Sequence, residues 1–98
     1  MTERGMAAAL LQLERYEEAA SWAVKALAHK PGEAGSLRIA AAAQALAGRI
    51  DEARRLTADL LQLHPHMRLS GLGKIMGFGR QEDIARMIAG LRLAGLPE

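Results

Sequence analysis

Three pairs of adjacent carboxylates are the residues of this chain best suited to acid–base chemistry. The pairs are Glu17-Glu18, Asp51-Glu52 and Glu82-Asp83. A carboxylate beside a second one can act as a general acid or base. Each pair, however, opens a predicted helix, where the positive end of the helix dipole stabilises negative side chains. The sequence therefore predicts three helix starts rather than a catalytic centre, and we expect a protein that is not an enzyme.

Two glycine-rich segments resemble fragments of a phosphate-binding loop. They are Gly71-Leu72-Gly73-Lys74 and Gly77-Phe78-Gly79-Arg80. A P-loop needs a fixed glycine spacing followed by Lys and then Ser or Thr, and a strand before it. Neither requirement is met, so we predict a short helix with a turn, and we expect no cofactor and no small-molecule substrate.

The histidines are the candidate metal ligands. His64 and His66 flank Pro65, but no carboxylate or cysteine lies at ligand spacing from them,. We therefore predict a solvated turn at this position, and His29 precedes a turn of the same kind. No metal site is expected.

Basic residues recur every six positions near the end of the chain, at Arg68, Lys74, Arg80, Arg86 and Arg92. A spacing of six does not stay on one face of a helix. The net charge is only +2, and aromatic residues make up 3% of the chain. These features predict a solvated surface, and we expect no nucleic-acid partner.

The length and composition indicate one small soluble domain. The chain has 98 residues and no cysteine, which excludes disulfides and is compatible with a cytoplasmic location,. No apolar run approaches the 18 or so residues that a membrane helix needs,. We expect a cytoplasmic protein without a membrane segment.

A repeat with a period of 34 residues organises the chain. Arg15-Tyr16-Glu17-Glu18-Ala19 recurs as Arg49-Ile50-Asp51-Glu52-Ala53, and Pro31 recurs as Pro65. Periodicity together with Gly and Pro punctuation predicts six helices. Their predicted ranges are Glu3–Leu13, Tyr16–His29, Glu33–Ala47, Ile50–Leu63, Met67–Met76 and Gln81–Ala94.

This pattern resembles that of tetratricopeptide repeats, which have the same period. The resemblance implies an all-α fold: a solenoid of antiparallel helix hairpins with two full repeats and a divergent C-terminal capping hairpin. The expected units are residues 1–33, 34–67 and 68–98 of a single domain. Because stacked hairpins leave a concave surface for another molecule, the resemblance implies a non-catalytic protein-interaction module.

A narrower resemblance concerns the end of the chain. Arg15 to Leu27, Gly48 to Leu61 and Gly90 to Glu98 are similar to the final repeats of bacterial signalling proteins. In those proteins, a class III adenylate or guanylate cyclase domain or a winged-helix DNA-binding domain precedes the repeats. The resemblance implies the sensory or scaffolding part of such a regulator, without its chemistry.

The same family resemblance assigns the residues of the concave groove. They are Arg4, Ala8, Leu11 and Gln12 in the first unit, and Arg38, Ala42, Ala45 and Leu46 in the second. Two arginines beside small and apolar residues suit an acidic or carboxyl-ended peptide. The alternative is that both arginines only solubilise the surface. The carboxylate clamp of chaperone-binding repeats has asparagine where this chain has Ala8 and Ala42.

Self-association is the second functional class that the sequence leaves open. The first helix has no preceding repeat in this chain to cover its apolar residues, which include Met1 and Ala9 as well as Met6, Leu10 and Leu13. An exposed patch of this kind seeks a partner. The alternative expectation is therefore a homodimer formed through the N-terminal hairpin at Met6, Leu10 and Leu13.

Overall fold

A computed structural model describes residues 2–75 and 80–98 of the protein. The prediction of an all-helical fold is confirmed for these residues, among which there is no strand. The α-helices, numbered α1 to α6 in chain order, are Glu3–Gln12, Tyr16–His29, Ala34–Leu46, Ile50–Leu63, Leu72–Ile75 and Gln81–Leu93. Met76, Gly77, Phe78 and Gly79 lie outside the described residues, as does Met1.

The second and fourth helices have the predicted bounds, and their ends repeat in detail. Arg15 precedes α2 with φ −95° and ψ 72°, and Arg49 precedes α4 with φ −94° and ψ 69°. Both helices end two residues before a proline, because the ring of Pro31 or Pro65 disfavours helical geometry in the preceding residue,. The 34-residue sequence period is therefore also a period of the backbone.

The turns that close the first and third helices are equivalent as well. The Arg15 amide donates to the Leu10 carbonyl at 2.9 Å, and the Arg49 amide donates to the Gln44 carbonyl at 2.8 Å. These bonds satisfy carbonyls that a helix end would otherwise leave without a donor. Each bond directs the chain back along the helix it has just left, which produces the helix pairs α1–α2 and α3–α4.

A left-handed residue stands in each of these turns, and a third one follows α6. The φ angles are 61° at Glu14, 89° at Gly48 and 93° at Gly95. The turn after α6 thus has the geometry of those after α1 and α3, rather than that of the turns after α2 and α4. Glycine adopts this conformation without strain, whereas Glu14 is the one non-glycine residue with positive φ in the described chain,.

Helix α3 lies at the centre of the molecule, in contact with α1, α2, α4 and α6. Its alanines from Ala40 to Ala43 are completely buried. Small side chains permit several helices to approach one helix closely, but each one buries little area. The largest fully buried side chains include three leucines on the surrounding elements, Leu60, Leu72 and Leu91.

The fifth predicted helix, 67–76, differs from the structure. Its place is taken by a 3₁₀ turn, Leu69–Gly71, followed by the single helical turn of α5, and the predicted end at Met76 lies outside the described residues. The glycines explain the difference, since each disfavours a helix interior by about 1 kcal/mol. The carboxyl-terminal residues hold this segment in place. The amides of Leu69 and Ser70 donate to the carbonyls of Pro97 and Glu98 at 2.9 and 3.1 Å.

The last helix packs across α3 at an unusually short distance. A Cβ atom placed on Gly90 would lie 2.9 Å from the Cα, Cβ and carbonyl oxygen of Ala42. Only a residue without a side chain permits this approach. Met87 and Leu91 of α6 are buried beside the contact. Leu63 at the end of α4, by contrast, is 55% exposed.

Candidate partner-binding cavity

A cavity of about 190 Å³ opens between α1, α3 and α6. An apolar cavity of about 150 Å³ can hold a benzene-sized molecule, so this volume suits a single side chain or a chain end. The residues that line it are Arg4, Ala8, Leu11, Gln12, Gly35, Arg38, Ile39, Asp83, Arg86 and Met87.

Five residues that the sequence assigned to a concave groove lie together in this cavity. Arg4, Ala8, Leu11 and Gln12 come from α1, and Arg38 comes from α3. They meet because α1 and α3 are in contact and bring corresponding positions of the two repeats side by side. The 34-residue correspondence of Arg4 and Arg38 in sequence is thereby a correspondence in space.

The other three predicted groove residues do not line the cavity. Ala42 and Ala45 are buried, and Leu46 is partly buried. The physical reason is α6, whose Gly90 lies directly on Ala42. At Ala42, the predicted groove is therefore an internal helix contact. Sequence reasoning could not foresee it, because the placement of α6 against α3 is a long-range feature.

The two arginines of the cavity differ in their ionic partners. Arg4 forms an ion pair with Glu33 at 3.3 Å. Arg38 is partly buried, and no carboxylate oxygen lies within 4.0 Å of its guanidinium in residues 2–75 and 80–98. Burial lowers the pKa of Arg38, and the positive charge of Arg4 lowers the pKa of Arg38 further. A negative charge on a ligand near Arg38 would raise its pKa and so counteract both effects.

Glu33 fixes the position of Arg4. Its carboxylate accepts a hydrogen bond from the Ser36 hydroxyl at 2.6 Å, and this bond is the main cause of its lowered pKa. The charges of Arg4 and Lys30 lower the pKa of Glu33 as well, against an opposing effect of burial. A carboxylate held ionised in this way keeps the Arg4 side chain over Gly35, where an added Cβ would lie 2.9 Å from a guanidinium nitrogen.

The wall formed by α6 was missed by sequence reasoning. The sequence predicts Asp83 only as a helix-start carboxylate, yet it is 8% exposed and lines the cavity with Arg86 and Met87. A signal for this burial exists in the sequence. Asp83, Met87, Gly90 and Leu91 follow one another at helical spacings, so the carboxylate belongs to the buried face of α6,.

The residues predicted for self-association do not form one exposed patch. Met6 is partly buried, Leu10 is buried in the core, and Leu13 is 66% exposed. Leu10 faces inward because α1 packs against both α2 and α3. Leu13 alone of the three remains largely open to solvent.

The histidines have local contacts in the structure. His29 Nδ1 lies 2.5 Å from a carboxylate oxygen of Glu3, and His64 Nε2 lies 3.2 Å from the Gly32 carbonyl oxygen. His66 is exposed. The described residues contain no cluster of three or more His, Asp or Glu side chains arranged to hold a metal ion.

Of the two glycine-rich segments, only the first lies wholly within the described residues. Gly71 to Lys74 spans the end of the 3₁₀ turn and most of α5. Of the second segment, only Arg80 falls within the described residues. Its side chain contacts Asp83 at 3.4 Å and Glu82 at 3.7 Å.

None of the helices within residues 2–75 and 80–98 combines the length and the apolar character needed to cross a bilayer. Comparison of the chain with protein-family models, with curated proteins and with solved structures finds no match.

Proposed function

We propose that the protein is a non-catalytic interaction module that binds a carboxylate-bearing segment of a partner protein in the cavity between α1, α3 and α6. One observation carries the proposal: Arg38 is partly buried beside Arg4 with no carboxylate within 4.0 Å among the described residues. A buried charge is disfavoured unless it is paired. A carboxylate from a partner would supply the missing pair through charge-assisted hydrogen bonds.

The apolar lining determines what accompanies that carboxylate. Ala8, Leu11, Ile39 and Met87 offer methyl and methylene surface next to the arginines. A ligand with an aliphatic group adjacent to its negative charge would bury both parts at once. We therefore propose a chain terminus or an acidic side chain that follows a branched apolar residue.

The repeat geometry supports assignment of this module to the tetratricopeptide class. The helix-closing bonds at Arg15 and Arg49 recur after 34 residues, as do the φ angles at the starts of α2 and α4. On the basis of the sequence resemblance, we propose a role as the repeat portion of a cytoplasmic, cyclase-like or other bacterial signalling regulator. The stacking of its hairpins into a solenoid belongs to the same proposal.

N-acetyl-leucine tests the binding proposal, because it joins a free carboxylate to an aliphatic side chain. N-acetyl-leucinamide is the uncharged control, and the α-amide of N-acetyl-glutamic acid reports whether a side-chain carboxylate is accepted instead. Titrations would follow the Nε–Hε resonances of the arginines by NMR. We expect N-acetyl-leucine to shift the Arg38 resonance and the amide not to do so. Equal binding of the two leucine ligands, or binding of none of the three ligands, would refute the proposal.

A pair of variants locates the binding. Arg38→Met should weaken binding of N-acetyl-leucine by about tenfold to a hundredfold, since a hydrogen bond to a charged group is worth about 1.5–3 kcal/mol. Arg54→Met removes the same charge from an exposed position on α4 that does not line the cavity, and it should leave binding unchanged. A similar loss in both variants would indicate nonspecific electrostatic attraction.

Self-association remains a second candidate function because Leu13 is 66% exposed at the end of α1. In that case, Leu13→Glu should lower the sedimentation coefficient at high protein concentration without lowering the melting temperature. Leu10→Glu serves as the contrast, because it places a charge in the core and should unfold the protein,. A sedimentation coefficient of the unmodified protein that corresponds to a monomer at every concentration from micromolar to millimolar would refute self-association.

A further inference from the structure

Asp83 is a buried carboxylate within the cavity wall. One of its oxygens accepts a hydrogen bond from an Arg86 guanidinium nitrogen at 3.2 Å, and the other accepts from Arg80 Nε at 3.4 Å. Its side chain is 7% exposed and that of Arg86 is 21% exposed, whereas Arg80 is largely in solvent. The Asp83–Arg86 pair therefore belongs to the cavity, and Arg80 covers it from outside.

Among the described residues, two of the three arginines that line the cavity have a carboxylate partner. Glu33 holds Arg4, and Asp83 holds Arg86. Arg38 is the lining cation without a carboxylate within 4.0 Å in the part of the chain that the structure describes. The wall thus presents one uncompensated positive charge to a ligand, although three guanidiniums line it.

We propose that Asp83 determines the charge of the ligand: by occupying Arg86, it restricts the cavity to a singly charged carboxylate and excludes a phosphate dianion. This inference rests on the binding function proposed above. A phosphate group carries a charge of about −1.5 to −2 and needs several donors. In this cavity, its second charge would meet no unpaired cation among the described lining residues and would face the Asp83 carboxylate in the same wall. The Coulomb repulsion between two like charges about 6–12 Å apart near a protein surface corresponds to about a hundredfold to tenfold loss of affinity.

The variant Asp83→Asn tests the inference, because asparagine keeps the size of the side chain and an oxygen that can accept from Arg86. The probes are N-acetyl-leucine and inorganic phosphate at pH 7.5, again followed by the Nε–Hε resonances of the arginines. The unmodified protein should bind N-acetyl-leucine at least tenfold more tightly than phosphate. In the variant, we expect affinity for phosphate to rise by tenfold or more, while affinity for N-acetyl-leucine rises by less than threefold. If the role of Asp83 is merely structural, Asp83→Asn should weaken the binding of both ligands by the same factor and leave the ratio of the two affinities unchanged.

Glu82→Gln is the matched control. It removes the same formal charge from the neighbouring position of α6, where the carboxylate is 68% exposed. In this variant, the ratio of the affinities for N-acetyl-leucine and phosphate should equal that of the unmodified protein. Thermal melting would verify that both variants fold. An unchanged ratio of the two affinities in Asp83→Asn, or an equal change of this ratio in Glu82→Gln, would overturn the inference. An Asp83→Asn protein that does not melt cooperatively, or that binds neither probe, would overturn it as well. Failure of the unmodified protein to bind either N-acetyl-leucine or the α-amide of N-acetyl-glutamic acid refutes the proposed function instead. A gain of phosphate binding in Asp83→Asn would still support the role of Asp83 in that case.

Discussion

Replacement of Gly90 by alanine probes the contact that places α6 in the cavity wall. The new Cβ would lie 2.9 Å from three atoms of Ala42, two of which belong to the backbone. Carbon atoms in contact prefer about 3.5–4.0 Å, and backbone atoms cannot rotate away. Helix α6 would have to lift from α3 by a substantial fraction of an ångström. This movement would loosen the burial of Met87 and Leu91.

Two opposing effects set the size of this change. Overpacking costs about 1–3 kcal/mol, and a clash with rigid backbone belongs near the upper end of that range. Alanine in place of glycine within a helix contributes about 1 kcal/mol in the other direction. We therefore expect a net loss of about 2 kcal/mol in the free energy of unfolding. For a domain of this size, that loss lowers the melting temperature by roughly 8–16 °C.

Urea unfolding followed by far-ultraviolet circular dichroism would measure the difference. Gly73→Ala is the matched control, because Gly73 is an exposed residue of α5 whose added Cβ would meet no described atom within 4 Å. The control should be neutral or more stable by up to about 1 kcal/mol. A Gly90→Ala protein as stable as the unmodified one would show that the α3–α6 contact adapts freely. The argument for a fixed cavity wall would then fail.

Three further predictions concern stability. Ala53→Leu should overpack the fully buried contact of α4 and lower the unfolding free energy by about 1–3 kcal/mol, whereas Ala58→Leu on the exposed face of the same helix should change this free energy little,. Equal melting temperatures of the two variants would contradict this placement. Thr57→Val should be neutral or stabilising by about 1 kcal/mol in urea unfolding, because the buried Thr57 hydroxyl has no hydrogen-bond partner among the described residues,. A destabilisation of more than about 1 kcal/mol would reveal a hydrogen bond to this hydroxyl. Glu33→Gln should remove stability that is present above pH 4.5 and is lost as the pH falls through the lowered pKa of Glu33,. Unfolding curves of both proteins between about pH 7 and pH 2 should therefore converge at the acid end. A difference in unfolding free energy that stays constant with pH would count against an ionic role of Glu33.

The sequence by itself determined where most of the helices begin and end, the segment 67–76 excepted. The bounds of α2 and α4 follow from the recurring Arg15 and Arg49 segments and from Pro31 and Pro65, because proline and helix-start signals act within a few residues,. It also determined that Arg4 and Arg38 correspond, since a repeat in sequence became a repeat in the backbone. These properties depend on short-range sterics and hydrogen bonds.

Only the tertiary structure decided which wall completes the cavity. Helix α6 lies across α3 because Gly90 and Ala42 permit their backbones to approach closely, and a long-range approach of this kind leaves no periodic signal. The same packing buries Ala42, which the repeat pattern assigned to the groove, and turns Asp83 from a helix-start carboxylate into part of the cavity. Burial is a property of two surfaces together, so one helix pattern could show that Asp83 shares a face with Met87 but not what that face would meet.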